Sequence, residues 1–158
     1  MSEREGKTGA QTLEFVSFEM GGERFGLEIG SVREVALLPE VTPVPSMPGW
    51  LVGVVNLRGE VVPVVDLRNA LGAPEGRTGG DRMIVVEIES RPVGIVVAGV
   101  PRIERADPSA VVPAPELVAS RLKRDFVKGV VKQGEDLVIL LDMSAIISAE
   151  ELGAATVE

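Results

Sequence analysis

Residues 53–67, Gly-Val-Val-Asn-Leu-Arg-Gly-Glu-Val-Val-Pro-Val-Val-Asp-Leu, constrain the fold more than any other stretch, because two almost wholly apolar runs meet at a polar turn. Val54, Val55 and Leu57 lead into Arg58, Gly59 and Glu60, and Val61, Val62, Val64 and Val65 lead away, the pattern of two buried strands joined by a short loop. Pro63 has no N–H to give to a ladder, so its strand belongs at an edge or a bulge. Arg58 stands at the hairpin tip as a solvated turn charge, as a partner for Asp66, or as a contact offered to another protein.

The rest of the chain reads as mostly β. Residues 13–20 suit a strand, Gly21-Gly22 a turn, and Phe25, Leu27 and Ile29 alternate with Gly26 and Glu28 as a half-buried returning strand. Helical spacing then takes over: Ser31 is placed to cap a short helix to Leu38, with Val32, Val35 and Ala36 on one side, and Pro39 cannot continue it. Pro39, Pro43, Pro45 and Pro48 make the next segment a stiff, extended connector. Trp50 follows it, a large aromatic suited to burial or to an interface, and its place beside the prolines favours the interface. Asp66 to Leu71 has room for a helical turn before Gly72, and residues 72–81 are loop-like, the natural internal boundary. Residues 143–152 read as a C-terminal helix with Met143, Ile146, Ile147 and Leu152 on its apolar face. Residues 1–11 form a polar tail and residues 150–158 a frayed acidic one, leaving a folded region over 12–149.

An internal echo runs through that region. Residues 16–35 can be laid on residues 84–103 without a gap, placing Glu19 on Glu87, Gly26 on Gly94, Leu27 on Ile95 and Val32 on Val100. The hairpin returns too: Gly53-Val-Val55, Gly59-Glu60 and Asp66-Leu67 recur as Gly129-Val-Val131, Gly134-Glu135 and Asp142-Met143. Either a valine-rich composition produces the echo by chance, or the chain builds two small antiparallel barrels of one design, five short strands each. Sequence halves need not equal spatial barrels, since strands can be exchanged between them.

Composition narrows the chemistry. The chain has no cysteine, no histidine and no tyrosine, which removes disulfides, thiolate metal sites, the usual general base and the commonest metal ligand. No Gly-rich phosphate loop or serine nucleophile elbow replaces them. Carboxylate pairs such as Glu34 with Glu40, or Asp66 with Glu60, suit surface salt bridging better than catalysis. A formal charge of −8, with four Phe and one Trp, argues against the basic, aromatic-studded face of a nucleic-acid-binding small barrel, the least favoured alternative. Residues 1–11 lack an apolar core, and no run approaches the ~18 apolar residues needed to cross a bilayer. The expectation is a cytoplasmic protein with no cofactor and no membrane insertion.

Residues 53–59 followed by Val62-Pro-Val-Val-Asp-Leu-Arg68 resemble the signature of the CheW family, the adaptors that couple chemoreceptors to a histidine kinase in bacterial chemosensory arrays. Val32-Arg-Glu-Val35 is similar to its short upstream recognition segment. The likeness continues through Val93-Gly-Ile-Val-Val97, Val100, Pro113-Ala-Pro-Glu116 and Leu137-Val-Ile-Leu-Leu-Asp142, covering residues 13–150. Ala98 departs from the pattern, standing where family members often carry an acidic residue.

The resemblance implies a mainly β fold of two SH3-like five-stranded barrels with short helices. It also implies a non-catalytic adaptor binding the regulatory domain of a CheA-type histidine kinase and the cytoplasmic tip of methyl-accepting chemoreceptors. The array served is one for flagellar chemotaxis or, alternatively, for gliding, pili or development. The positions matching the family's partner-binding residues are Val32, Glu34, Gly53, Arg58, Val100 and Ile103, with Val35, Asn56 and Gly59 beside them. From their residue types alone, Val32, Val100 and Ile103 suit barrel core equally well, and Gly53 a close backbone approach.

Overall fold

A computed structural model of the chain describes residues 12–20, 22–45, 51–67, 82–113 and 126–146. The two expected tails, Trp50, the loop at 72–81 and the end of the expected C-terminal helix lie outside them. The described elements are almost all strands: β1 (Leu13–Met20), β2 (Glu23–Glu28), β3 (Val32–Leu37), β4 (Leu51–Leu57), β5 (Glu60–Val65), β6 (Arg82–Ile88), β7 (Arg91–Ala106), β8 (Val111–Val112), β9 (Val127–Gln133) and β10 (Asp136–Leu141). Two 3₁₀ turns (Ile29–Ser31, Pro108–Ala110) and a helix α1 (Met143–Ile146) complete them.

The sixteen-residue β7 organises the sheet by serving two strand sets. Residues 91–97 pair antiparallel with β6 and, at Val64↔Gly94 and Val65↔Ile95, parallel with β5. Residues 98–106 pair instead with β1, from Glu19↔Ala98 to Leu13↔Ala106. Gly99, at φ 70°, sits where the strand changes partners, a backbone conformation that costs other residues about 1 kcal/mol or more. One set is therefore β3-β6-β7-β5-β4, the other β7-β1-β2-β10-β9-β8. Each draws strands from both halves of the sequence.

The register carries the internal echo into space. Val16 pairs with Ile103 and Val35 with Ile84, the two pairings that the sequence alignment interchanges. Gly26 and Gly94 behave alike as well. A Cβ on Gly26 would meet Phe15 at 2.9 Å and Leu140 at 3.1 Å, and one on Gly94 would meet Met83 at 2.8 Å and Val64 at 3.5 Å. In each set, chain that follows an edge strand returns to the far end, at the Thr42↔Val54 bridge and at Val112↔Val130. The ladder is interrupted before each return, so the mainly β expectation is met, among the described residues, by a continuous ten-stranded sheet that does not close into barrels.

Burial explains the long valine runs. One small core fills the first set (Val55, Leu57, Val62, Val64, Met83, Val85, Val96), another the second (Phe15, Val131, Val138, Leu140). A larger core lies between them and draws on both, from Val16, Leu27 and Ile139 to Val65, Ile84 and Ile95. β6 thus turns Met83 and Val85 to one core and Ile84, Val86 and Ile88 to another, and a strand buried on both faces has no polar alternation to show.

The expected helix from Ser31 to Leu38 is instead a 3₁₀ turn followed by β3. Its burial alternates, Val32, Glu34 and Ala36 half-buried and Arg33, Val35 and Leu37 exposed. Six residues gain little from local helical bonds, whereas pairing with β6 from Val32↔Val86 to Leu37↔Arg82, with one register shift between Val32 and Glu34, supplies a ladder along the strand. Ser31 donates its hydroxyl to the Glu28 carbonyl at 2.8 Å rather than capping a helix.

Candidate partner-binding site

The β4–β5 hairpin turns tightly because Arg58 and Gly59 take left-handed backbone, φ 51° and 87°, and the Asn56 side-chain oxygen accepts a hydrogen bond from the Gly59 N–H at 2.9 Å. Asn56 and Gly59 therefore shape the tip that presents Arg58. The Arg58 guanidinium donates to the Glu34 carboxylate on β3, so its partner is Glu34 and not Asp66. A second pair of reversed order lies alongside, Arg33 of β3 reaching Glu60 at 3.1 Å and Glu87 at 2.8 Å. The carboxylates of Glu87 and Glu60 hold the Arg33 guanidinium above its ordinary pKa, against the lowering effect of desolvation.

These ion pairs clamp the tip to β3. Exposed pairs contribute at most about 1 kcal/mol each, and Arg58, 68 % exposed, keeps donors directed at solvent. Val35 and Leu37 are exposed on the other face of β3 from Glu34, while Val32 packs against the shared core. Gly53 is a packing position: a Cβ there would fall 2.4 Å from the Thr42 carbonyl oxygen and 2.7 Å from Val41.

A second face lies on residues 98–106 of β7. Val100 and Ile103 are 67 % and 69 % exposed, which settles their two possible placements in favour of the surface. Exposed Arg102 stands between them, and Ala98 is half-buried opposite Glu19. The expected residues thus divide into two groups, Glu34, Val35, Asn56, Arg58 and Gly59 around the tip, Val100 and Ile103 on β7. Val32 and Gly53 lie beneath the first.

Beneath the second face is a polar cluster that sequence reasoning missed. Glu104 accepts hydrogen bonds from the Ser17 hydroxyl and from Arg24, both at 2.6 Å, and from the Gln133 amide at 2.9 Å. Arg24 also reaches Asp136 at 3.6 Å. Burial raises the Glu104 carboxyl, but the bonds from Ser17, Arg24 and Gln133 outweigh it and hold the group below its ordinary value. Leu37, Arg33 and Glu60 were also missed, and nothing local marks any of them out. Among the described residues no group of three His, Cys, Asp or Glu side chains is placed to hold a metal, and no helix is long and apolar enough to cross a membrane.

The fold agrees with comparisons to known proteins. The family model for the CheW-like domain matches residues 14–151. The chain is 34 % identical to the chemotaxis protein CheW of Klebsiella aerogenes over 154 residues, covering 96 % of this chain and 90 % of that one. It is 33 % identical over 143 residues to a probable chemotaxis protein CheW of Rhizobium etli, covering 90 % and 92 %. The scaffolding protein TtCheW of Thermoanaerobacter tengcongensis superposes with a TM-score of 0.77 at 28 % identity, over 88 % of this chain and 90 % of that one. A family model matched over nearly the whole described region, together with these relatives, places the chain in the CheW-like family.

Proposed function

We propose that this protein is a non-catalytic cytoplasmic adaptor that joins methyl-accepting chemoreceptors to a CheA-type histidine kinase, its CheW-like domain covering residues 12–149. The observation that carries the reading is exposed apolar side chains on two strands that also carry charge: Val35 and Leu37 on β3, whose Glu34 pairs with Arg58, and Val100 and Ile103 on β7 with Arg102. Exposed aliphatic side chains rimmed by charge are the chemistry of protein recognition, the apolar groups supplying affinity and the charges register and partner choice. An adaptor needs at least two such places, and family membership supplies the partners. In this reading Glu34, Val35 and Arg58 touch one partner and Val100 and Ile103 another, while Val32, Gly53, Asn56 and Gly59 hold the first face in shape.

The test is a set of titrations against the kinase regulatory domain and a receptor-tip fragment, with a thermal melt for every variant. Arg58→Glu replaces an attraction by a repulsion, and Ile103→Asp puts a charge in the middle of an apolar contact; each is expected to cost about 2 kcal/mol or more of binding, roughly thirtyfold in affinity. Folded variants that bind both partners as the parent does would refute it.

A further inference from the structure

We infer that Glu104 is a positioning residue for the Val100–Ile103 face, acting through β7 without touching the partner. The inference rests on the proposal that this face binds a protein. Among the described residues, 98–106 of β7 pair on one side only, with β1, and the pairing slips between Ser17 and Glu19, opposite the stretch that carries Val100. A ladder interrupted on its single paired edge leaves that stretch weakly held. Glu104, in the regularly paired stretch beside the slip, ties down its near end. Next in sequence to Ile103 but turned inward, it ties the strand to Ser17 of β1 and Arg24 of β2 through one carboxylate oxygen, and to Gln133 of β9 through the other. Arg24 extends the tie to Asp136 of β10, and the Gln133 amide also reaches the Arg105 carbonyl at 3.5 Å.

The sheet does not need this cluster to form. The internal alignment places Ser17 on Val85 and Arg24 on Pro92, and one residue further it sets Glu104 on Ala36, so the other copy of the same plan is apolar at all three positions and forms its ladder, with its own slip between Val32 and Glu34, without the cluster. Ser17 is the one buried polar residue among those described. Part-buried charge networks add little stability over apolar packing of equal volume, but they hold their members to one geometry. Here the member held is the strand that displays Ile103.

The experiment measures binding of the full chain to the kinase regulatory domain and to the receptor-tip fragment, for Glu104→Ala, Glu104→Gln, Gln133→Ala and Ile103→Asp, at a temperature where each is folded by circular dichroism. Ile103→Asp identifies the partner of this face. Glu104→Ala is expected to weaken that same partner roughly tenfold and to leave the other within about twofold, with Gln133→Ala weakening it in the same direction. Glu104→Gln is expected to restore most of the affinity, since a Gln side chain still accepts from Ser17 and Arg24 and the Gln133 amide can present its oxygen instead. If Glu104→Ala does not fold, Gln133→Ala decides. Ile103→Asp losing a partner while the folded Glu104 and Gln133 variants bind like the parent overturns this inference alone. Equal loss of both partners in Glu104→Ala also overturns it, as plain destabilisation. Parent-like binding by Ile103→Asp overturns it together with the proposal beneath it.

Discussion

Replacing Gly53 by alanine separates shape from contact at the heart of the hairpin. The added Cβ would lie 2.4 Å from the Thr42 carbonyl oxygen, 2.7 Å from Val41 and 3.0 Å from the Thr42 carbonyl carbon. Two of those atoms are backbone, so no rotamer change relieves the clash. Thr42 and Val54 exchange both of their backbone hydrogen bonds, at 2.8 and 2.9 Å, and this bridge is what must open. Overpacking costs about 1–3 kcal/mol and each lost bond about 0.5–1.5. Against that, the stiffer unfolded chain returns about 0.4–1 kcal/mol. A net destabilisation of roughly 2–3 kcal/mol lowers the melting temperature by about 4–12 °C for a domain of this size. Gly30→Ala is the control, because nothing lies within 4 Å of its added Cβ, and its melt should stay within about 2 °C of the parent. Thermal melts with amide exchange at Val54 make the assay: Gly53→Ala should lose both stability and Val54 protection, while Gly30→Ala keeps both. An unchanged melt with Val54 still protected would refute the packing argument.

Three further outcomes follow from named contacts. Because the folded-state pKa of Glu104 is depressed, its contribution is complete above its unfolded value and is lost as pH falls through the folded one; urea titrations below about pH 5 should therefore show a flatter acid decline for Glu104→Gln than for the parent. Glu89 and Ser90 hold φ 52° and 70° in the β6–β7 turn, where the aligned turn has Gly21-Gly22; Asn and Gly in their places should raise stability by about 1 kcal/mol, read as a melt higher by a few degrees. Arg58→Glu should lower the melt by no more than about 4 °C, and adding Glu34→Arg should recover that loss by re-forming the pair reversed, without recovering partner binding.

The hairpin at 53–67 was legible because its evidence is local, two valine runs and a polar turn, but Pro63 misled: its strand, β5, is not at an edge and pairs with both β4 and β7. The exchange of strands was legible through the echo of residues 16–35 in 84–103, since aligned positions such as Val16 with Ile84 and Val35 with Ile103 become each other's pairing partners. Local evidence failed at Val32–Leu37. Ser31, the Val32–Val35–Ala36 spacing and Pro39 imitate a capped helix, and the strand that decides otherwise, β6, lies far along the chain. The same distance hid the two charge systems. Arg58 meets Glu34 across 24 residues and Ser17 meets Glu104 across 87, separations at which residue type alone selects no partner. Val100 and Ile103 were open between core and surface because an apolar side chain on an edge strand, beside a register slip, has the same sequence signature as a buried one.

The central claim is that one chain engages two different proteins at once, and the most direct measurement is sedimentation of the chain mixed with the kinase regulatory domain and the receptor-tip fragment. A species containing all three is expected from the parent, reduced to two different binary complexes by substitutions on the two faces, Arg58→Glu and Ile103→Asp. Mutual exclusion of the two partners, or a parent that binds neither, would contradict it.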